Sequence, residues 1–398
     1  MTAGRPAGLR GVLVVVASAV LASIAAAGLY LAGVKHFYWA VVRPLVEPGF
    51  VRAYLAEPGL RQLVDLMNEE QGEQADSFAV FWGAGGTELM SKRLFRPVEM
   101  YGVTRYMYKP GVRTLQFITG ASGLYRAMEM EDTPALRRVL AGLDTKRLAE
   151  ASYDQLGFRR ADPELARDCA TRLLFLGDSF TDGAGVNDNE TFVNRYGHLV
   201  RERLHLSACP INAGVDGYGS LEESFVLNTY YETFGRPPII VVMHYPNDVD
   251  DNEFVVIRGA VGEADPRWTT SLSYLDRIAA TARAHGASLL IVAIPPSTQL
   301  AAPETRRHYQ DVLRRFSERE GVRFVDLLDT LGERDVRDIY IEHDPHWTAK
   351  GHEAVAEILY ERTKDLLPPR CRPASCGPKT GSPDDAVQPG SICAMARC

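Results

Sequence analysis

Four short stretches of this chain carry side chains that can perform acyl and proton chemistry if the fold brings them together. Ser179 lies in Gly177-Asp178-Ser179-Phe180, directly after the apolar run Leu173-Leu174-Phe175-Leu176 and ahead of the Gly-rich Thr181-Asp182-Gly183-Ala184-Gly185. A buried strand that stops at a small-residue turn exposes a serine hydroxyl at the rim of a sheet. The second stretch is Asn212-Ala213-Gly214-Val215-Asp216-Gly217-Tyr218-Gly219, the third His244-Tyr245-Pro246-Asn247-Asp248 and the fourth His343-Asp344-Pro345-His346-Trp347. A hydroxyl, a glycine N–H, a carboxamide donor and an Asp/His pair are the parts of a nucleophile, an oxyanion site and a general base.

Each stretch also has a plainer reading. Ser179 suits a turn or a helix cap, Asn247 suits an Asx turn after proline, and Gly217 and Gly219 suit a positive φ. Asp178 reads as a brace of its turn, and Asp216, Asp250 and Asp251 as solvated loop charges. His343, His346 and His352 fall within ten residues, and with Asp344 they could hold zinc. That alternative leaves the Ser179 and Asn247 loops unexplained, so no metal or other cofactor is expected. His352 reads as a residue that caps or packs at the last helix.

The elements that must position these loops are legible from about residue 171. Strand-like runs at Arg172–Leu176, Pro210–Asn212, Pro238–Met243, Ser288–Ile294 and Val322–Leu327 are nearly continuous in Val, Ile and Leu, as strands buried on both faces should be. Helical patterns separate them at Thr191–Leu204, Leu221–Phe234, Ser271–His285 and Pro303–Glu320, with a last one at Lys350–Lys364. Alternating strand and helix predicts an α/β fold, a doubly wound, flavodoxin-like parallel sheet of five strands. The site then lies beyond the carboxyl ends of the strands, where all four stretches fall. Residues 35–165 read as a small accessory region or cap, with a polar helix at Thr133–Ser152 and no motif that carries chemistry.

From about 171 to 365 the chain resembles the SGNH/GDSL hydrolase superfamily. Gly177-Asp178-Ser179 with Asp182 and Gly183 matches its first block, and Asn212 with Gly217 matches the spacing of its second. Asn247-Asp248 matches the third, with Tyr245 where a glycine is usual. Asp344-Pro345-His346 is one residue shorter than the usual last block. That shorter form, followed by Trp347 and then Gly351-His352, is similar to the membrane-associated branch that includes alginate O-acetylation proteins. The resemblance implies Ser179 as nucleophile, His346 as general base and Asp344 as its orienting partner. The backbone N–H groups of Ser179 and Gly217 and the Asn247 side chain would bind the oxyanion. The shortened last block leaves His343 as another possible proton carrier.

The two ends speak to location. Gly11–Val34 carries no charge, and as a helix of roughly 36 Å it is long enough to span a bilayer. Phe37, Tyr38 and Trp39 follow as an interfacial belt would. We read residues 11–34 as an uncleaved anchor, with a signal peptide cleaved near Ala25-Ala26-Ala27 as the competing reading. The slight excess of positive charge before the run votes for a cytoplasmic amino end. Cys371, Cys376, Cys393 and Cys398 lie in a tail rich in Gly, Pro and Ser that cannot build a core. Two disulfides of undetermined pairing are expected there, with a four-thiolate zinc site as the alternative. Cys169 and Cys209 precede neighbouring strands and either bridge the bottom of the sheet or stay separate buried thiols. The net charge of −7, without a basic and aromatic cluster, argues against nucleic acid as partner.

The chain therefore divides into a cytoplasmic amino end (1–10), an anchor (11–34), an accessory region (35–165), a hydrolase-like domain (166–367) and a Cys-rich tail (368–398). The expected function is an extracytoplasmic, membrane-anchored serine esterase, periplasmic or at the cell surface. It would work through acyl-Ser179 on an acylated carbohydrate or other small ester. A polysaccharide O-acetyltransferase and a non-catalytic polysaccharide-binding or scaffold protein are the alternatives.

Overall fold

The computed structural model describes residues 58–72, 77–82, 86–121, 124–165, 169, 171–249, 267–302, 307–342 and 344–367. The anchor segment 11–34, the four tail cysteines, Asp250, Asp251 and His343 lie outside the described residues. Among the described residues no helix is long and apolar enough to cross a membrane.

The first described helix is α1 (Pro58–Gly72). Strand β1 (Ser77–Trp82) pairs antiparallel with β2 (Gly86–Ser91), and β3 (Phe95–Met100) with β4 (Val103–Tyr108). Strand β5 (Arg113–Ala121) lies between β6 (Leu124–Glu131) and β7 (Thr145–Ser152), with helix α2 (Pro134–Leu140) linking the last two. Next come β8 (Thr171–Gly177), α3 (Ser179–Asp182), α4 (Phe192–Leu199), β9 (Ala208–Gly214), α5 (Ser220–Tyr230) and β10 (Ile239–His244). They are followed by α6 (Arg267–Ala284), β11 (Ser288–Ala293), α7 (Ser297–Ala301), α8 (His308–Glu320), β12 (Arg323–Asp326), α9 (Leu327–Leu331), α10 (Val336–Ile339) and α11 (Ala349–Thr363).

Strands β8 to β12 form one parallel sheet in the order β12-β11-β10-β8-β9. The first of these strands sits between the second and the third, which is the flavodoxin-like arrangement predicted from sequence. Successive side chains leave a strand on opposite faces. Leu174, Leu176, Ile240, Val242 and Ile291 therefore join the core under α5, α6 and α8. Leu173, Phe175, Val241 and Val292 join the core under α4, α9 and α11. Burial on both faces is why the runs are apolar without alternation.

Two predicted elements differ in detail. The helix expected at Thr191–Leu204 is capped by Thr191, whose side chain accepts from the Asn194 N–H, but it changes to wider winding over Val200–Leu204. The polar helix expected at Thr133–Ser152 is instead α2 followed by β7. Lys146, Arg147, Leu148, Ala149 and Glu150 favour helix intrinsically, yet pairing with β5 overrides that preference. Cys169 and Cys209 form a disulfide with Cα atoms 5.5 Å apart, so the bridging reading holds.

The accessory region packs on the parallel-sheet domain. Leu115, Phe117 and Met130 face Leu60, Leu63, Leu136 and Leu140 of α1 and α2. The β3–β4 hairpin shares a core with α5 and β9. Its docking includes a buried ion pair: Arg105 Nε lies 2.5 Å from Glu222 Oε1, with side chains 2% and 1% exposed. The Tyr106 hydroxyl donates to the Asp216 carbonyl at 2.5 Å, and the Tyr218 hydroxyl to the Tyr106 carbonyl at 2.5 Å. Breaking a buried pair from one side strands the other charge. Arg105→Met should accordingly lower the unfolding free energy by about 3–5 kcal/mol in urea titrations; a loss under about 1 kcal/mol would contradict a structural role for the pair.

Candidate active site

Ser179 opens the short helix α3 at the carboxyl end of β8. The preceding Asp178 is the cap: its Oδ1 accepts the Phe180 N–H at 2.9 Å, as a brace of the turn should. Burial pushes the Asp178 carboxyl up to about 6, against the opposing pull of the Phe180 N–H, His346 and Asn247. Phe180, buried, packs its ring 5.2 Å from His346 and 4.9 Å from Trp347.

His346 arrives on the loop between α10 and α11. Tyr340 and Trp347 form an antiparallel bridge, the Ile341 N–H donates to the His346 carbonyl at 2.9 Å, and the Thr348 N–H donates to the Ile339 carbonyl at 2.8 Å. Thr348 then caps α11 by accepting the Gly351 N–H at 3.0 Å. Position 351 must be glycine, because a Cβ there would lie 2.4 Å from the Ile339 carbonyl oxygen.

These two loops meet. His346 Nε2 lies 2.7 Å from Ser179 Oγ, and His346 Nδ1 lies 2.6 Å from Asp344 Oδ1. The same Oδ1 accepts the backbone N–H of His346 at 2.9 Å. With one residue between them, Asp344 and His346 form a closed turn in which the carboxylate holds both backbone and ring. Burial disfavours the imidazolium. The Asp344 hydrogen bond and charge, helped by Asp216 and Asp178, outweigh it, so the ring titrates above its ordinary 6.5. The His346 contact likewise outweighs burial and holds the Asp344 carboxyl below its ordinary range.

Of the other predicted residues, Asp216 and Asn247 interact with this centre. Gly217 stands at φ +70°, a left-handed position that favours glycine. Its neighbour Asp216 is exposed at the mouth of the site and interacts with the Ser179 side chain and the charge of His346, so it is more than a solvated loop charge. Asn247, exposed on the turn Pro246–Val249, interacts through its side chain with Asp178. His352 is in the core: its Nδ1 accepts the Phe192 N–H at 3.1 Å and its ring stacks on Phe192. Among the described residues no three His, Cys, Asp or Glu side chains converge as metal ligands.

A cavity of about 150 Å³ adjoins the centre, and half of its lining comes from the accessory region. The region expected as an accessory part or cap thus contributes side chains to the wall. Gln116, Ile118, Ala127, Glu129 and Arg147 line it beside Asp182, Asp216, Ile341, Asp344 and His346. Gln116 and Glu129 are opposed partners in the β5–β6 register, and Ile118 is opposed by both Ala127 and Arg147. One sheet face thus presents all five. No local motif marks them, so only the register reveals them. Arg159, fully buried, ties the halves by donating to Asp188 Oδ1 at 2.5 Å, the Val186 carbonyl at 2.7 Å and Asp182 Oδ2 at 3.4 Å. Burial raises the Asp182 carboxyl to about 7 against the charge of Arg159, with Glu129 and Asp216 adding to the rise.

Residues 175–354 match the model of the GDSL-like lipase/acylhydrolase family. No curated protein matches the chain. Among solved structures the chain is similar to TesA at 21% identity, over 50% of this chain and 100% of that one, with a TM-score of 0.39. It is similar to the psychrotrophic esterase EstA from Pseudoalteromonas sp. at 18% identity, over 50% and 98%, TM-score 0.39. It is also similar to Axe2, an acetylxylan esterase from Geobacillus stearothermophilus, at 17% identity, over 51% and 98%, TM-score 0.38.

The hold of Asp344 on the imidazole is measurable. NMR titration of His346 should give a midpoint above 6.5, and Asp344→Asn should lower that midpoint by about 1–2 units, because the charge that favours the cation is gone. An unchanged midpoint in the variant would show that Asp344 does not set it.

Proposed function

We propose that the protein is an SGNH-type serine hydrolase that cleaves acyl esters through an acyl-Ser179 intermediate, a reading supported by the match of residues 175–354 to the GDSL-like lipase/acylhydrolase family. The observation that carries the residue roles is the continuous chain Ser179 Oγ–His346 Nε2 and His346 Nδ1–Asp344 Oδ1, at 2.7 and 2.6 Å. His346 takes the Ser179 proton as Oγ attacks the ester carbonyl. Asp344 keeps Nε2 free to accept it and stabilises the resulting imidazolium. The tetrahedral oxyanion is met by the N–H groups of Ser179 and Gly217 and by the Asn247 side chain. The C–O bond to the alcohol breaks, and His346 returns its proton to the leaving oxygen. Water then attacks the acyl-enzyme with His346 again as base, releasing the acid and restoring Ser179.

An O-acylated carbohydrate is the substrate class we favour, and an extracytoplasmic, membrane-anchored location the setting. The uncharged run 11–34 supports the anchor. The Cys169–Cys209 disulfide supports an oxidising compartment.

With p-nitrophenyl acetate, Ser179→Ala should lose at least about 10³-fold in kcat. A fluorophosphonate should label the wild type at Ser179. Equal release by both proteins would remove the proposal. The base must be neutral to work, and its folded pKa lies above 6.5, so activity should rise with pH through a midpoint above 6.5. A profile flat between about pH 5 and 8 would exclude His346 as base.

A further inference from the structure

Two buried carboxyls behind the nucleophile turn lack the donors that carboxylates need. Glu223 lies in the first turn of α5, 1% exposed, and both Oε1 and Oε2 are shut off from water without a hydrogen-bond partner among the described residues. Asp178, 0% exposed, commits Oδ1 to the Phe180 N–H, while its Oδ2 is left in the same condition as the Glu223 oxygens. A buried acceptor without a donor costs free energy, and native proteins leave few of them. Two such carboxyls side by side are relieved by one proton, because protonation turns an acceptor into a donor.

The fold sets them side by side. Asp178 follows the end of β8, two residues beyond Leu176, and Glu223 stands one helical turn before Leu227. Leu174, Leu176 and Leu227 share one core where α5 packs on β8. Among the charges acting on Glu223, that of Asp178 is the largest and that of Glu222 the second.

The proton has a preferred side. The Phe180 N–H, the charge of His346 and the Asn247 side chain all favour the ionised form of Asp178. Burial, Asp178 and Glu222 all disfavour the ionised form of Glu223, and hold its carboxyl well above the ordinary range. Glu222 does not compete for the contact, since Arg105 and the Gly219 N–H engage its two oxygens.

We propose that Glu223 is a positioning residue that keeps its proton and donates a hydrogen bond to Asp178 Oδ2. Asp178 then has both oxygens engaged, one by the turn that carries Ser179 and one by α5, the helix that follows the Gly217 loop. The contact ties together the two loops assigned the oxyanion N–H groups. Its catalytic role rests on the esterase reading; the shared proton does not.

Infrared spectra and kinetics on the full chain test these two parts separately. At about pH 7 the wild-type minus Glu223→Gln difference should show the carbonyl band of a neutral carboxyl. Carboxylate bands in its place would overturn the proposal. With p-nitrophenyl acetate, Glu223→Gln keeps the shape and a donor and should stay within about threefold of the wild-type kcat/KM, whereas Glu223→Met fills the space without a donor and should lose about tenfold or more. Equal activity of all three proteins, or a Gln variant as impaired as the Met variant, would overturn the positioning role. Failure of Glu223→Gln to fold would overturn it too, because the amide satisfies the same contact. If Glu223→Met alone fails to fold, the spectrum and the Gln variant decide. If the wild type turns over no ester, the esterase reading falls, and the infrared band still decides whether Glu223 holds the proton.

Discussion

One carboxylate oxygen carries the geometry of the site. Asp344 Oδ1 takes the ring Nδ1–H and the backbone N–H of His346 together, so the backbone fixes the carboxylate and the carboxylate in turn fixes the imidazole. The far nitrogen then points at Ser179 Oγ, 2.7 Å away. The spacing is one residue shorter than the Asp-x-x-His usual in the SGNH/GDSL superfamily that the chain resembles. The turn lies within a loop whose ends are joined by the antiparallel bridge between Tyr340 and Trp347.

The parallel sheet was readable from residues alone. Its strands are buried on both faces, and runs such as Leu173–Leu176 and Ile239–Met243 leave no other role. The chain positions of the four loops followed from that sheet, since successive strands must end at one rim. The meeting of Ser179, His346 and Asp344 required coordinates, because nothing in a linear pattern reports a distance.

The cavity wall was not readable, for a physical reason. Gln116, Glu129 and Arg147 belong to antiparallel strands whose pairing decides which residues are opposed, and register is a tertiary property. The strand Thr145–Ser152 was masked further by helix-favouring residues, and only its partner β5 makes it extended. Asp182 looked like part of a Gly-rich turn. Its burial depends on Arg159 and Tyr153, contributed by a segment outside the hydrolase-like pattern.

The ion pair between Arg105 and Glu222 bears on where this protein can be divided. The stretch that matches the hydrolase family begins at residue 175, yet Glu222 and Asp182 inside it find their cations at Arg105 and Arg159, upstream of that boundary. A fragment trimmed to the matching stretch would keep the carboxylates and lose the guanidinium groups that neutralise them. The unit of homology is thus smaller than the unit of folding, and swapping the upstream segment between relatives would have to carry both arginines with it.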